Sequence, residues 1–246
     1  MSDQLTRTDS ADTADPAYRR LYILGSIAAL IVVLLTLSEV IILAINPQPA
    51  TLSDWFALFH SNRLLGLLEF WGLEYPMYVM FAIVYLALYV LLRKLDPSWM
   101  VIATTFALLG TAIFFATNNP FSMISLSDQY AAATTEAQRA AYLAAGQALV
   151  ANTGQRAVGG FNMGLFLVSV AGLVVSAVML RSHIFSRSTA YLGMLAHGLA
   201  LADYLRQALT SSAIVALLVI LPGAVLLMVW FSLVGGSLYR IGRLTK

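Results

Sequence analysis

Long runs of apolar residues, broken by short polar segments, set the pattern of this chain, and six of them are long enough to predict membrane-spanning helices. The first covers about 21–45, LYILGSIAALIVVLLTLSEVIILAI, and stops at Asn46 and Pro47. The second covers about 65–92 and is closed by Arg93, Lys94 and the turn Asp96-Pro97. The third, about 98–117, ends in TNNP, and the fourth covers about 159–180. The fifth, about 188–206, is the least apolar because it holds His197 and Asp203; the sixth, about 212–239, contains Pro222. In hydrocarbon a backbone must satisfy its own hydrogen bonds, so apolar length converts directly into helix.

Two polar segments lie between spans on one side. In 46–63, DWFALFH predicts an interfacial half-helix, with Trp55, Phe56 and Phe59 suited to the headgroup boundary. In 118–158, NNPFSMISLSDQ reads as turn and irregular chain, whereas TTEAQRAAYLAAGQALVANTG reads as helix. Thr135 and Gln138 have the spacing of a capping box, alanine favours the helical interior, and Asn152, Thr153 and Gly154 supply a stop. A mild amphipathic face predicts a helical cap lying on the mouth of the bundle.

Composition sharpens this picture. Of 246 residues, 60% are hydrophobic and 11% charged, against about 25% charged in ordinary soluble domains, and the mean hydropathy is +0.81. A net charge of +2 gives no reason to expect a nucleic-acid partner, and the absence of cysteine excludes disulfides and thiolate chemistry. The polar stretch 1–17 lacks the basic start and apolar core of a secretory signal, and is expected to be a disordered cytoplasmic tail ahead of a membrane domain at 18–246. With both termini on one side, that side carries ten basic residues and the other only Arg63, Arg139, Arg156 and Arg206. The positive-inside rule then places both termini in the cytoplasm and the 118–158 loop outside.

Candidate chemistry follows from depth. Glu39, Glu69, Glu74, Asn162, His197 and Asp203 come from four spans, and all fall in the outer half of the membrane. An ionisable group in hydrocarbon costs several kcal/mol, so such groups face the bundle interior or a wet cavity. Glu69 and Glu74 lie about 140° apart on an ideal helix and do not share a face. Pro76 predicts a kink that frees the carbonyl of Gly72 beside them. Each group also has a structural alternative: Glu69 paired with Arg63, Asp203 paired with Arg206 at i, i+3, and His197 a satisfied core residue. The sequence has no HExxH, Walker or GxSxG pattern, so no cofactor and no metal ligand set are expected from it. Gly160, Gly164, Gly172 and Ser176 form a small-residue ridge suited to close helix packing, within the bundle or between copies in a homo-oligomer.

The segment ISLSDQYAAATTEAQRAAYLAAGQALVA, with the glycine-led span after it and then VSAVMLRSHIFSRSTAYLGMLAHGL, resembles a family of uncharacterised bacterial polytopic membrane proteins grouped as a domain of unknown function. The resemblance covers residues 124–198 and implies an inner-membrane protein with an alanine-rich external loop; it implies no catalytic residue. The expected fold is all-α: a six-transmembrane-helix bundle in a bacterial cytoplasmic membrane, with one amphipathic extracytoplasmic loop helix. The expected function is binding or permeation of a proton, small cation or small polar or amphipathic ligand at an acidic pocket. The alternatives are an intramembrane metal-dependent hydrolase using Glu, His and Asp, and an accessory protein presenting its external helix to a partner.

Overall fold

A computed structural model describes residues 14–46, 48–153, 162–210 and 212–244. Of the predicted tail, residues 1–13 lie outside the described residues, while Asp15 caps a 3-10 turn at Pro16–Tyr18. The helices are α1 (Arg19–Ile45), α2 (Leu52–Ser61), α3 (Arg63–Leu67), α4 (Glu74–Leu92) and α5 (Pro97–Thr117). They continue as α6 (Pro120–Ala132), α7 (Glu136–Thr153), α8 (Met163–Met179), α9 (Arg187–Leu209) and α10 (Ala213–Leu244). A turn of π-helix, Leu68–Gly72, joins α3 to α4.

Four segments are long and apolar enough to cross a membrane: Pro16–Ile45, Arg63–Leu92, Pro97–Ala132 and Leu218–Leu244. Met163–Met179 is a shorter apolar helix. Six helices close a ring in the order α1, α4, α5, α8, α9, α10 and back to α1. Each runs antiparallel to its neighbours, as single contacts show. A Cβ on Gly25 would meet Ala87, one on Gly110 the Gly164 carbonyl, one on Gly193 Ser176 and Trp230, and one on Gly242 Ile23. Of the predicted glycine ridge, Gly160 lies outside the described residues. Gly164 packs on α5 and Gly172 on α9, so both serve contacts inside the bundle.

One end of the ring carries α2, α3, α6 and α7 as a cap. The capping box predicted for α7 is present: Gln138 N–H donates to Thr135 Oγ1 at 3.2 Å, and Thr135 N–H donates to Gln138 Oε1 at 3.3 Å. The segment expected to be irregular is helix α6 instead. Asn119 caps it by accepting the Phe121 N–H, and Pro120 occupies the first turn, where a missing N–H costs nothing. The half-helix α2 forms as expected, but its aromatics do not face a boundary. Trp55, Phe56 and Phe59 are buried, packed on Phe70 and Tyr130, because α6 and α7 cover them. The buried Ser127 hydroxyl fixes that cover by donating to the Phe56 carbonyl at 2.7 Å. Ser127→Ala should cost about 1 kcal/mol by removing this tie between α6 and α2, read as faster protease cleavage within 120–132 without loss of the ring helices.

The opposite end is sealed by polar ties. The Arg19 guanidinium donates to the Gly242 carbonyl at 3.0 Å, Arg181 pairs with Asp96 at 3.0 Å, and Arg93 sits over the rings of Tyr18 and Tyr89.

Candidate functional site

The second predicted span is not one helix. Phe70 leaves the helical region and Trp71 adopts φ 64°, ψ 6°, a left-handed conformation that a bulky side chain rarely occupies. Such a residue carries of order 1–3 kcal/mol of strain and persists only where its surroundings hold it. Trp71 is held edge-on against Phe114, 6.1 Å between ring centroids. The break therefore lies at Phe70 and Trp71, not at Pro76. Pro76 falls in the first turn of α4, where it requires no helical acceptor. Restarting the helix at Glu74 turns that side chain inward, and it is buried.

Beneath the cap end, α1, α4, α9 and α10 surround a cavity of about 320 Å³. Four of the six predicted residues line it: Glu39 from α1, Glu74 from α4, Asn162 at the start of α8, and Asp203 from α9. Their helices deliver them to one depth because antiparallel neighbours place the end of one beside the start of the next. Trp71, Tyr78, Tyr204, Arg206 and Gln207 join them, and apolar side chains form most of the remaining wall.

Asn162 is the junction of this polar end. Its Oδ1 accepts the Leu165 N–H at 3.0 Å, which caps α8, and the Tyr78 hydroxyl at 3.4 Å. Its carbonyl accepts the Tyr204 hydroxyl at 2.8 Å. Three helices are thus tied through one residue. Asp203 is held on both oxygens, by Arg206 at 2.5 Å and by Gln207 at 2.8 Å, and the Arg206 guanidinium also reaches the Thr210 carbonyl. The i, i+3 pairing expected of Asp203 and Arg206 is therefore present, but it sits in the cavity wall with both side chains largely out of solvent.

The other two predicted residues lie elsewhere. Glu69 is buried in the π-turn and is not among the cavity-lining residues; Arg63, a candidate partner for it, pairs with Asp128 of the cap at 2.7 Å. His197 is buried between α8 and α10, with its ring on Gly172 and edge-on to Trp230 at 4.9 Å. Neither ring nitrogen has a hydrogen-bond partner among the described residues, nor do the buried Ser176 hydroxyl and Trp230 indole N–H close by. Sequence reasoning missed Tyr78, Tyr204 and Trp71. Tyrosines one or two turns inside an apolar run were the available signal for the first two.

Among the described residues no group of three or more His, Asp or Glu side chains is placed to hold a metal ion. The cavity offers instead a hydrogen-bonding end and an apolar body, a combination suited to a small molecule with both characters. No curated protein and no solved structure matches the chain. A family model described as a domain of unknown function, DUF4386, matches residues 20–235, and the chain belongs to that family.

Proposed function

We propose that this protein crosses the membrane six times, with its cap outside and its termini in the cytoplasm of a bacterium, and binds a small amphipathic molecule in the cavity beneath the cap. The observation that carries the reading is the arrival of Glu39, Glu74, Asn162 and Asp203 in the wall of one largely apolar cavity. The closed antiparallel ring supports six crossings, since α8, a shorter apolar helix, and α9, which is not among the four long apolar segments, are both packed into it between those segments. The basic residues support the orientation: Arg19, Arg20, Arg93, Lys94, Arg181, Arg187, Arg240 and Arg243 gather at the end away from the cap.

The test uses protein in lipid nanodiscs and N-phenyl-1-naphthylamine, an amphipathic probe that accepts excitation energy from tryptophan. Transfer from Trp71 should be lost in Ala224→Phe, which fills the cavity. The apparent affinity should shift roughly threefold to tenfold in Glu39→Gln/Glu74→Gln, about 0.7–1.4 kcal/mol and typical of one altered polar contact. Binding indifferent to both variants would refute the assignment. A second reading, partner docking, is favoured only by α7, whose side chains over 136–151 are mostly exposed.

A further inference from the structure

The two ends of the bundle are packed very differently along the seam between α1 and α10. Away from the cap, that seam is knit by small residues. Cβ atoms on Gly235 and Gly242 would press on Ala29 and Ile23, and one on Gly25 would press on Leu238. Tyr22, Ser26 and Ala29 of α1, and Phe231, Val234 and Leu238 of α10, are fully buried there. Toward the cap the same seam loosens. No residue of α1 from 33 to 45 is fully buried, and from 218 to 229 of α10 only Gly223 is. The ridge of α1 that holds Gly235 through Ala29 continues one heptad on as Thr36, which lines the cavity and whose hydroxyl reaches Met77 Sδ of α4.

Pro222 lies in this loosened part of α10, where it removes the N–H that would bond to the Leu218 carbonyl. Next to the proline, Ile220 both lines the cavity and is 40% exposed. The cap-side halves of the two helices expose Leu34, Leu37, Val40, Ile41, Leu218 and Leu221, with Ser38 the exposed polar side chain among them, its hydroxyl turned back onto the Leu34 carbonyl. A flank edged in this way is matched to hydrocarbon and not to water.

The cavity also has a direction. On α1, Glu39 stands seven residues nearer the cap than Val32; on α4, Glu74 stands seven residues nearer the cap than Phe81. Each pair spans about 10 Å of helix axis. The floor is closed by Phe81 stacked on Phe231, 5.4 Å between centroids. Polar end outward and apolar end toward the bundle centre is the same order as the lipid leaflet alongside. A molecule lying in that leaflet would match the cavity without turning over.

We propose that the cavity opens sideways between the cap-side halves of α1 and α10, and takes from the adjacent leaflet an amphiphile with a single short chain or compact body, held polar end toward the cap and apolar end on Phe81 and Phe231. This rests on the amphipathic-ligand reading above and adds the source and the orientation of the ligand.

The test exploits two tryptophans at different depths. Trp71 lines the cavity, and Trp230 lies behind its floor, 4.9 Å from Phe231. Bromine quenches indole only at short range, and the emission of each is isolated as the difference from Trp71→Phe or Trp230→Phe. Nanodiscs are titrated with 8-bromo-1-octanol, labelled at the chain end, or 2-bromo-1-octanol, labelled beside the hydroxyl. The chain-end isomer should quench Trp230 at least about twofold more steeply than the other, and Trp71 should show the reverse order. Gly223→Phe should erase both differences. A Cβ at Gly223 meets only Leu199, at 3.6 Å, so the cavity can be filled there without moving backbone, and Ala224→Leu is the milder substitute. Equal or inverted orders that still vanish on filling the cavity would overturn the orientation and leave ligand binding standing. Aqueous iodide quenching Trp71 as effectively as the bromo-alcohols would overturn the sideways opening. Quenching by both isomers that ignores the filled cavity would remove the binding reading itself.

Discussion

Gly72→Ala should be among the most damaging single-methyl changes in this protein. A Cβ at Gly72 would lie 2.2 Å from the Leu67 carbonyl oxygen and 2.8 Å from its carbon. Both are backbone atoms, so no side-chain rotation relieves the overlap, and the wide turn Leu68–Gly72 has to be rebuilt. The expected cost is about 3 kcal/mol or more, at the upper end of overpacking penalties. It should appear as a lower unfolding midpoint in detergent, followed by tryptophan emission. The turn also sets where α4 begins, and therefore where Trp71 and Glu74 point. Variant protein that does fold should have lost probe binding. Unaltered stability and unaltered binding in Gly72→Ala would show that the turn is not what places these side chains.

Gly172→Ala should be nearly as costly, for a different reason. The added methyl would fall 2.1–2.3 Å from Nε2, Cε1 and Cδ2 of the His197 ring. That ring cannot swing away freely, since it is fully enclosed and packed edge-on to Trp230. A loss of about 2–3 kcal/mol is expected. The diagnostic measurement is a double-mutant cycle with His197→Ala. Removing the imidazole makes room for the methyl, so the pair should be markedly more stable than the sum of the single changes predicts. Strict additivity would mean that the two residues do not share this contact. The cycle also bears on His197 itself, because a histidine whose main task is to fill the space over Gly172 should be replaceable with little change in probe binding.

The helices of the ring were legible because their signal is physical and redundant. An apolar run of such length has no stable alternative in hydrocarbon. Four acidic or amide side chains of the cavity wall could be anticipated from depth alone, since a polar group in such a run must turn inward. Depth carries no information about azimuth, however, and that separates Glu74 from Glu69 and Asp203 from His197. The five-residue spacing of Glu69 and Glu74 already argued against a common face, and the π-turn between them makes the divergence larger. That turn could not be read from the sequence. Gly72 is the one turn-forming residue in EFWG, and the positive φ falls not on it but on Trp71, one of the residues least expected to accept it. Helix α6 was not anticipated although its start signal is present: Asn119 followed by Pro120 is a cap and a first-turn proline. The burial of Trp55, Phe56 and Phe59 depends on what α6 and α7 place over them, which is long-range information.

The closed lower half of the bundle limits what the proposed ligand cavity could serve. On the proposed reading, Phe81 against Phe231 is a plug, and Gly25, Gly235 and Gly242 are zipped shut beneath it, so among the described residues a guest finds no passage toward the far end. Whatever enters must leave the way it came unless the whole zip parts. The proposed site would then be a receptacle, and an electrical recording across a bilayer containing the protein should show no steady current.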